Sequence, residues 1–200
     1  MKKKIKTWLL KTFSPLANEF WWPLWSNIRW RKSIKDCEIL TEDRVKTLSE
    51  IRSLVRKLYS RFNYTSDGVD QLGDSITPPA QNYTNYLTES VKDDCDGFHS
   101  LVYHCLRKSG IECYLMSVVS NDGGHCVLLI HINDRWFVND YTSVYTGFSN
   151  MSNAVADYNK KYINLYCKKE SEVVYNGFIS FDYDTGKFRS VKHELKDLLK

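Results

Sequence analysis

Two hundred residues with 42% hydrophobic and 26% charged side chains, nine Gly and four Pro, describe a folded chain with one sizeable core, and they exclude the disordered, collagen-like and low-complexity classes. No apolar run approaches the roughly 18 residues that a membrane span requires, so the expectation is a soluble or at most peripheral protein. The net charge of +4 is unevenly spread: residues 1–35 hold nine Lys and Arg against Glu19 alone, a balance of +8, which leaves −4 on the remainder.

Residues 1–40 read as a basic, Trp-rich extension to a domain spanning 41–200. Five of the six Trp (Trp8, Trp21, Trp22, Trp25, Trp30) lie there. Ile5, Trp8, Leu9, Phe13 and Leu16 are spaced for one apolar helical face opposite lysines, and Pro15 and Pro23 are expected to break the helix. Such an arm either packs its aromatics on the body or docks on an anionic membrane surface or a partner protein; nucleic acid is the weakest of the options. The opening lysines resemble the start of a secretory leader, but Lys11 interrupts the apolar stretch and no small-residue cleavage site follows. Six Cys without a CxxC pair or a disulfide-knot spacing read as reduced thiols in a cytoplasmic, reducing compartment.

From Thr41, expected as an N-cap, the positions Val45, Leu48, Ile51, Leu54, Val55, Leu58, Tyr59 and Phe62 form a helical stripe. Residues 63–90, rich in Asn, Asp, Ser, Thr, Gly and Pro, read as a long loop with one helical turn at most. Asp93 or Asp94 then caps a helix carrying Phe98, Leu101, Val102, Cys105 and Leu106, stopped by Ser109-Gly110. Strands are expected over 111–120, 125–132 and 135–140, joined at 121–124 and at Asn133-Asp134. The middle strand is apolar on both faces and therefore central. A helix over 154–162, a hairpin of 173–182 with 187–191, and a charged helical end complete one α+β domain.

Cys95 falls in the first turn of its helix, where free N–H groups and the positive dipole end favour a thiolate, while the acids Asp93, Asp94 and Asp96 oppose it. If Asn133-Asp134 is a two-residue turn, Asp140 lies opposite Val127, and His125 becomes its diagonal neighbour on the same sheet face, within reach of a hydrogen bond. A His held by a carboxylate is what a general base requires. Zinc is a thinner alternative. Cys95 with His99, or His125 with Cys126, can be stretched into ligands, but no paired-ligand spacing appears, and no metal or other cofactor is expected. His104, His131 and His193 read as structural or solvated.

The stretches DDCDGFHSLVYHCLRKSGI, GGHCVLLIHI and DRWFVNDYT, in that order, resemble the transglutaminase-like cysteine peptidases, over about residues 60–145. The resemblance implies a papain-like α+β core with the nucleophile helix packed on an antiparallel sheet. It further implies Cys95 as nucleophile, His125 as base and then acid, Asp140 as the residue holding the imidazole, and a protein or peptide substrate. The family's usual Gly two residues before the Cys is Asp93 here, which puts the oxyanion hole in doubt. The Cys95 N–H is one donor, and Gln71 or Gln81 is named for the other. The competing expectation is a non-catalytic binding module of the same fold that docks through its basic arm.

Overall fold

The structure, a computed structural model, describes residues 2–65, 75–89, 91–168 and 170–199. In chain order the elements are α1 (Lys2–Leu16), a π-helical turn (Ala17–Trp21), α2 (Trp22–Arg29), α3 (Leu48–Tyr59), β1 (Phe62–Tyr64), α4 (Pro79–Thr88), β2 (Val91–Asp93) and α5 (Cys95–Lys108). Then follow β3 (Glu112–Ser120), β4 (Gly124–Ile132), β5 (Arg135–Asp140), β6 (Ser143–Val144), α6 (Met151–Tyr166), β7 (Val173–Asp182) and β8 (Lys187–Ser190). The fold is α+β, with helices on an antiparallel sheet of order β6-β5-β4-β3-β7-β8 and a small parallel pair of β1 with β2.

The β4–β5 hairpin has the register expected from its turn. Asn133 and Asp134 both take positive φ, 51° and 55°, which a two-residue hairpin turn with the twist of its strands demands. Leu128 then pairs with Asn139 and Ile130 with Phe137. Strand β4 is central and covered on both sides. Cys126, Leu128 and Ile130 share a core with Phe98, Leu101 and Val102 of α5. Val127 and Leu129 share another with Ala154, Val155 and Tyr158 of α6. Burial of each Leu contributes about 2 kcal/mol, so the alternation alone fixes which face each strand residue takes.

Several local expectations are corrected. The cap of α3 is Thr47, not Thr41: its hydroxyl accepts from Glu50 N–H while the Glu50 carboxylate accepts from Thr47 N–H. Thr41–Asp43 instead forms a 3-10 turn. Chain 44–46 stays extended because Val45 N–H donates to Ser109 Oγ and Arg44 to Lys108 O, docking this stretch on the end of α5. Within 63–90, α4 runs for ten residues. Pro79 suits its first turn, and burial of Ala80, Tyr83 and Tyr86 outweighs the weak helix propensity of its Asn and Thr. Residues 192–199 form successive turns, not a regular helix.

Pro15 and Pro23 do not break the N-terminal helix, which continues from α1 into α2. Pro23 has no N–H to offer the carbonyl four residues back. The wider turn before it, with Trp22 N–H reaching Ala17 O, takes up the misfit. This helix lies along β7 and β8. The Asn27 side chain accepts from Phe188 N–H at 2.7 Å and donates to Phe188 O at 2.9 Å, and Ser26 Oγ accepts from Ile76 N–H at 3.0 Å. Trp22 and Cys37 pack against the core to which Ile39 belongs.

Candidate active site

The site is assembled where the first residues of β4 meet the start of α5. Asp94 caps α5, its carboxylate accepting from Asp96 N–H at 3.1 Å, and Cys95 is the first helical residue. Asp93 carries a different load: its carboxylate accepts from Thr77 Oγ at 2.9 Å and from Asp94 N–H at 3.0 Å. Gly97 leaves room for that carboxylate, since an added methyl group would overlap it. Gly97 O in turn accepts from Asn82 of α4 at 2.9 Å.

Cys95 is half-buried, and its Sγ accepts the main-chain N–H of Cys126 at 3.4 Å. The thiol thus sits against the residue that follows His125. His125 Nε2 donates to Asp140 Oδ1 at 2.9 Å, the diagonal relationship that the hairpin register predicts, and the His125 ring centre lies 6.2 Å from that of His99 on α5. The His125 ring is enclosed by Tyr141, Tyr162 and Tyr166, the second stacked nearly parallel at 6.1 Å between ring centres.

Asp140, 3% exposed, accepts two more hydrogen bonds on Oδ2, from the hydroxyls of Tyr158 and Tyr166 at 2.9 Å each. Burial pushes its acidity down, but the hydrogen bond and charge of His125, together with His99 and the Tyr158 hydroxyl, outweigh burial and hold the carboxyl below its ordinary range. Burial pushes both phenols up, and the adjacent carboxylate adds to this, so they remain donors.

The main chain turns sharply after Asp140. Tyr141 takes φ 47°, a left-handed conformation that costs a non-Gly residue about 1–2 kcal/mol. Two groups hold it: Asn139 Nδ2 donates to Tyr141 O at 2.6 Å, and Tyr141 N–H donates to His99 Nε2 at 3.1 Å. The accepting Nε2 assigns the proton to Nδ1, which donates to Cys95 O at 2.6 Å. His99 therefore joins the turn bearing Cys95 to the turn following Asp140. It is fully buried, and burial lowers it to about 4, so the ring is neutral.

Of the residues named from sequence, Cys95, His125 and Asp140 converge on this end of the sheet. Gln81 does not join them: its amide accepts from Ile34 N–H at 3.3 Å and donates to Asn85 Oδ1 at 3.0 Å, which commits it to the N-terminal stretch. Gln71 lies outside the described residues. His99 is no metal ligand, because both ring nitrogens are engaged within the protein. Among the described residues, the His, Cys, Asp and Glu side chains whose ligand atoms group together are Asp94, Cys95 and Asp96, within 4.8 Å of one another. One Asp94 oxygen there already serves as the helix cap. Tyr158 and Tyr166 escaped the sequence reading, and His99 entered it only as a stretched zinc ligand. The signals were the i, i+4, i+8 row of Tyr158, Tyr162 and Tyr166 and the i, i+4 spacing of His99 from Cys95.

No family model matches the chain, and no curated protein matches it. Among solved structures, LapG of Legionella pneumophila is similar over 78% of this chain and 76% of its own, at 14% identity and a TM-score of 0.45. A protein of Cytophaga hutchinsonii assigned as a cysteine protease is similar over 48% of this chain, at 18% identity and a TM-score of 0.37. This chain spans 32% of the length of that protein.

Proposed function

We propose that this chain is a thiol-dependent acyl-transfer enzyme of the transglutaminase-like peptidase kind, hydrolysing a peptide or glutamine-type amide. The observation that carries the reading is the pairing of the His125–Asp140 hydrogen bond, 2.9 Å, with a helix-terminal thiol seated on the neighbouring N–H of Cys126. In the proposed reaction His125 takes the Cys95 proton, and the sulfur attacks the amide carbonyl. Collapse of the tetrahedral oxyanion breaks the C–N bond, with His125 returning the proton to the departing amine. Water, deprotonated by the same imidazole, then cleaves the thioester and releases the acid. Asp140 keeps the proton on Nε2, so Nδ1 acts as base. The Cys95 N–H, at the positive end of α5, is the proposed oxyanion donor.

The test is selective alkylation. Cys37 and Cys167 are half-buried like Cys95 and serve as internal controls. Iodoacetamide at pH 6 should label Cys95 well ahead of both, and His125→Ala should remove that lead. Asp140→Asn should lower turnover of a responsive peptide substrate by a factor on the order of 10³–10⁴, the scale seen when a triad aspartate loses its charge. Equal labelling of the three thiols would favour a non-catalytic module.

A further inference from the structure

The N-terminal helix is built with its polar side inward. Ser14 and Ser26 are buried, Asn27 is spent on Phe188, and Glu19 is hydrogen-bonded to Tyr175 and lies 3.5 Å from Lys192. Outward, Leu9, Phe13, Leu16, Phe20, Trp21, Leu24 and Ile28 are exposed, with Trp8 beside them; Trp8, Leu16 and Phe20 are 63%, 60% and 57% exposed.

These residues make one stripe. From Leu9 through Phe13, Leu16, Phe20 and Leu24 to Ile28 the chain advances nineteen residues in five turns, whereas five turns of a regular α-helix take about eighteen. The π-helical turn at Ala17–Trp21 absorbs the extra residue, so the apolar side chains stay on one face from α1 into α2. Basic residues accompany the stripe: Lys11, Arg29, Arg31, Lys32 and Lys35 are exposed, and Lys2, Lys3, Lys4 and Lys6 precede it in sequence. The one acid within residues 1–35 is Glu19, and it is held inward.

We propose that this face is an interfacial helix that lies on an anionic phospholipid bilayer, sinking its Leu, Phe and Trp side chains below the headgroups while the flanking Lys and Arg bind lipid phosphates. Charge selects this occupant. A second copy meeting the same face would oppose two segments of +8, whereas an anionic bilayer offers hydrocarbon at shallow depth and negative charge around it. Trp suits that boundary because its ring is amphipathic. No described helix is long and apolar enough to cross a membrane, so the helix lies in the surface plane.

The test uses the full chain and vesicles of phosphatidylcholine, with and without 30% phosphatidylglycerol. Co-sedimentation should be at least tenfold stronger with the anionic lipid and should fall steeply between 50 and 500 mM salt. Leu16→Ser with Phe20→Ser, both at exposed positions, should reduce binding at least tenfold while the rate of Cys95 alkylation stays unchanged. Quenching of Trp fluorescence by lipids brominated on the acyl chains, measured on the unsubstituted protein, checks insertion independently of any variant. Equal binding to both vesicle types, absence of quenching, or a concentration-dependent dimer abolished by the same double substitution would each overturn the proposal.

Discussion

The main-chain N–H of Tyr141 ends on Nε2 of His99, 3.1 Å away, and the other nitrogen of that ring donates to the carbonyl of Cys95. One buried imidazole thereby sets the distance between the helix start that carries the thiol and the turn that follows the carboxylate. His99→Leu keeps the volume but removes the partner of a half-buried N–H and a half-buried carbonyl, each worth about 1–3 kcal/mol, and the support of a strained φ. The expected outcome is a loss of about 2–4 kcal/mol in urea unfolding, together with slower alkylation of Cys95 under conditions where the variant remains folded. Unchanged alkylation would show that His99 serves the fold without setting the site.

Tyr158 and Tyr166 both donate to Oδ2 of Asp140, but from different surroundings: Tyr158 is buried and Tyr166 exposed. Tyr158→Phe leaves part of a buried carboxylate unsatisfied and should cost about 1–3 kcal/mol, whereas water replaces the hydroxyl lost in Tyr166→Phe at about 0.5 kcal/mol or less. Each removes a hydrogen bond that favours the ionised carboxyl, so the acid limb of the pH profile for Cys95 alkylation should move upward, further for Tyr158→Phe. Urea titrations and alkylation profiles of the two variants check the order. Equal effects would contradict the difference in burial.

Acid should unfold this protein through two imidazoles. Burial lowers His99 and His104 each to about 4 from an ordinary 6.5. His104 is held between Tyr183 and the Cys37 main chain, with Nδ1 3.0 Å from the Tyr183 hydroxyl and Nε2 3.1 Å from Cys37 O. The unfolded chain takes up these protons near pH 6.5 and the folded chain only near pH 4. Their contribution is therefore complete above about 6.5 and is lost as the pH falls toward 4, by about 1.4 kcal/mol per pH unit for each ring. Asp140 acts in the same direction at lower pH: its folded value lies below the ordinary carboxyl value, so its contribution is lost only as the pH falls through that lower value. Urea midpoints measured from pH 7.5 to 4.5 should fall on this slope, and His104→Gln should roughly halve it. A flat profile would mean that neither ring is held neutral.

Local chemistry made the sheet legible. Asn133-Asp134 demands a two-residue turn, which fixes the β4–β5 register and, through it, the approach of His125 to Asp140. Asp94 and Gly110 mark the ends of α5 by capping rules that need no tertiary information. Contacts between distant segments were less accessible. Helix α4 owes its length to the burial of Tyr83 and Tyr86, which no propensity in 79–88 announces. Gln81 is one of the two amides named as the second oxyanion donor, but its partner Ile34 lies 47 residues away in sequence. Pro23 reads as a breaker in the sequence because only tertiary packing on β8 reveals that the helix bends its hydrogen-bond pattern around it.

The two hydrogen bonds between Asn27 and Phe188 have a consequence for how molecules of this protein meet one another. β8 is the last strand on its side of the sheet, and its outward N–H and C=O are the groups to which a strand from another molecule would add. The Asn27 amide offers the same donor and acceptor pair, so a single side chain stands in for the missing neighbour. At the far edge the sheet ends in β6, only two residues long and a poor template. Lifting α2 from β8 would leave the Phe188 N–H and C=O open to an added strand, so this one side chain on α2 shields the edge of the sheet at that position.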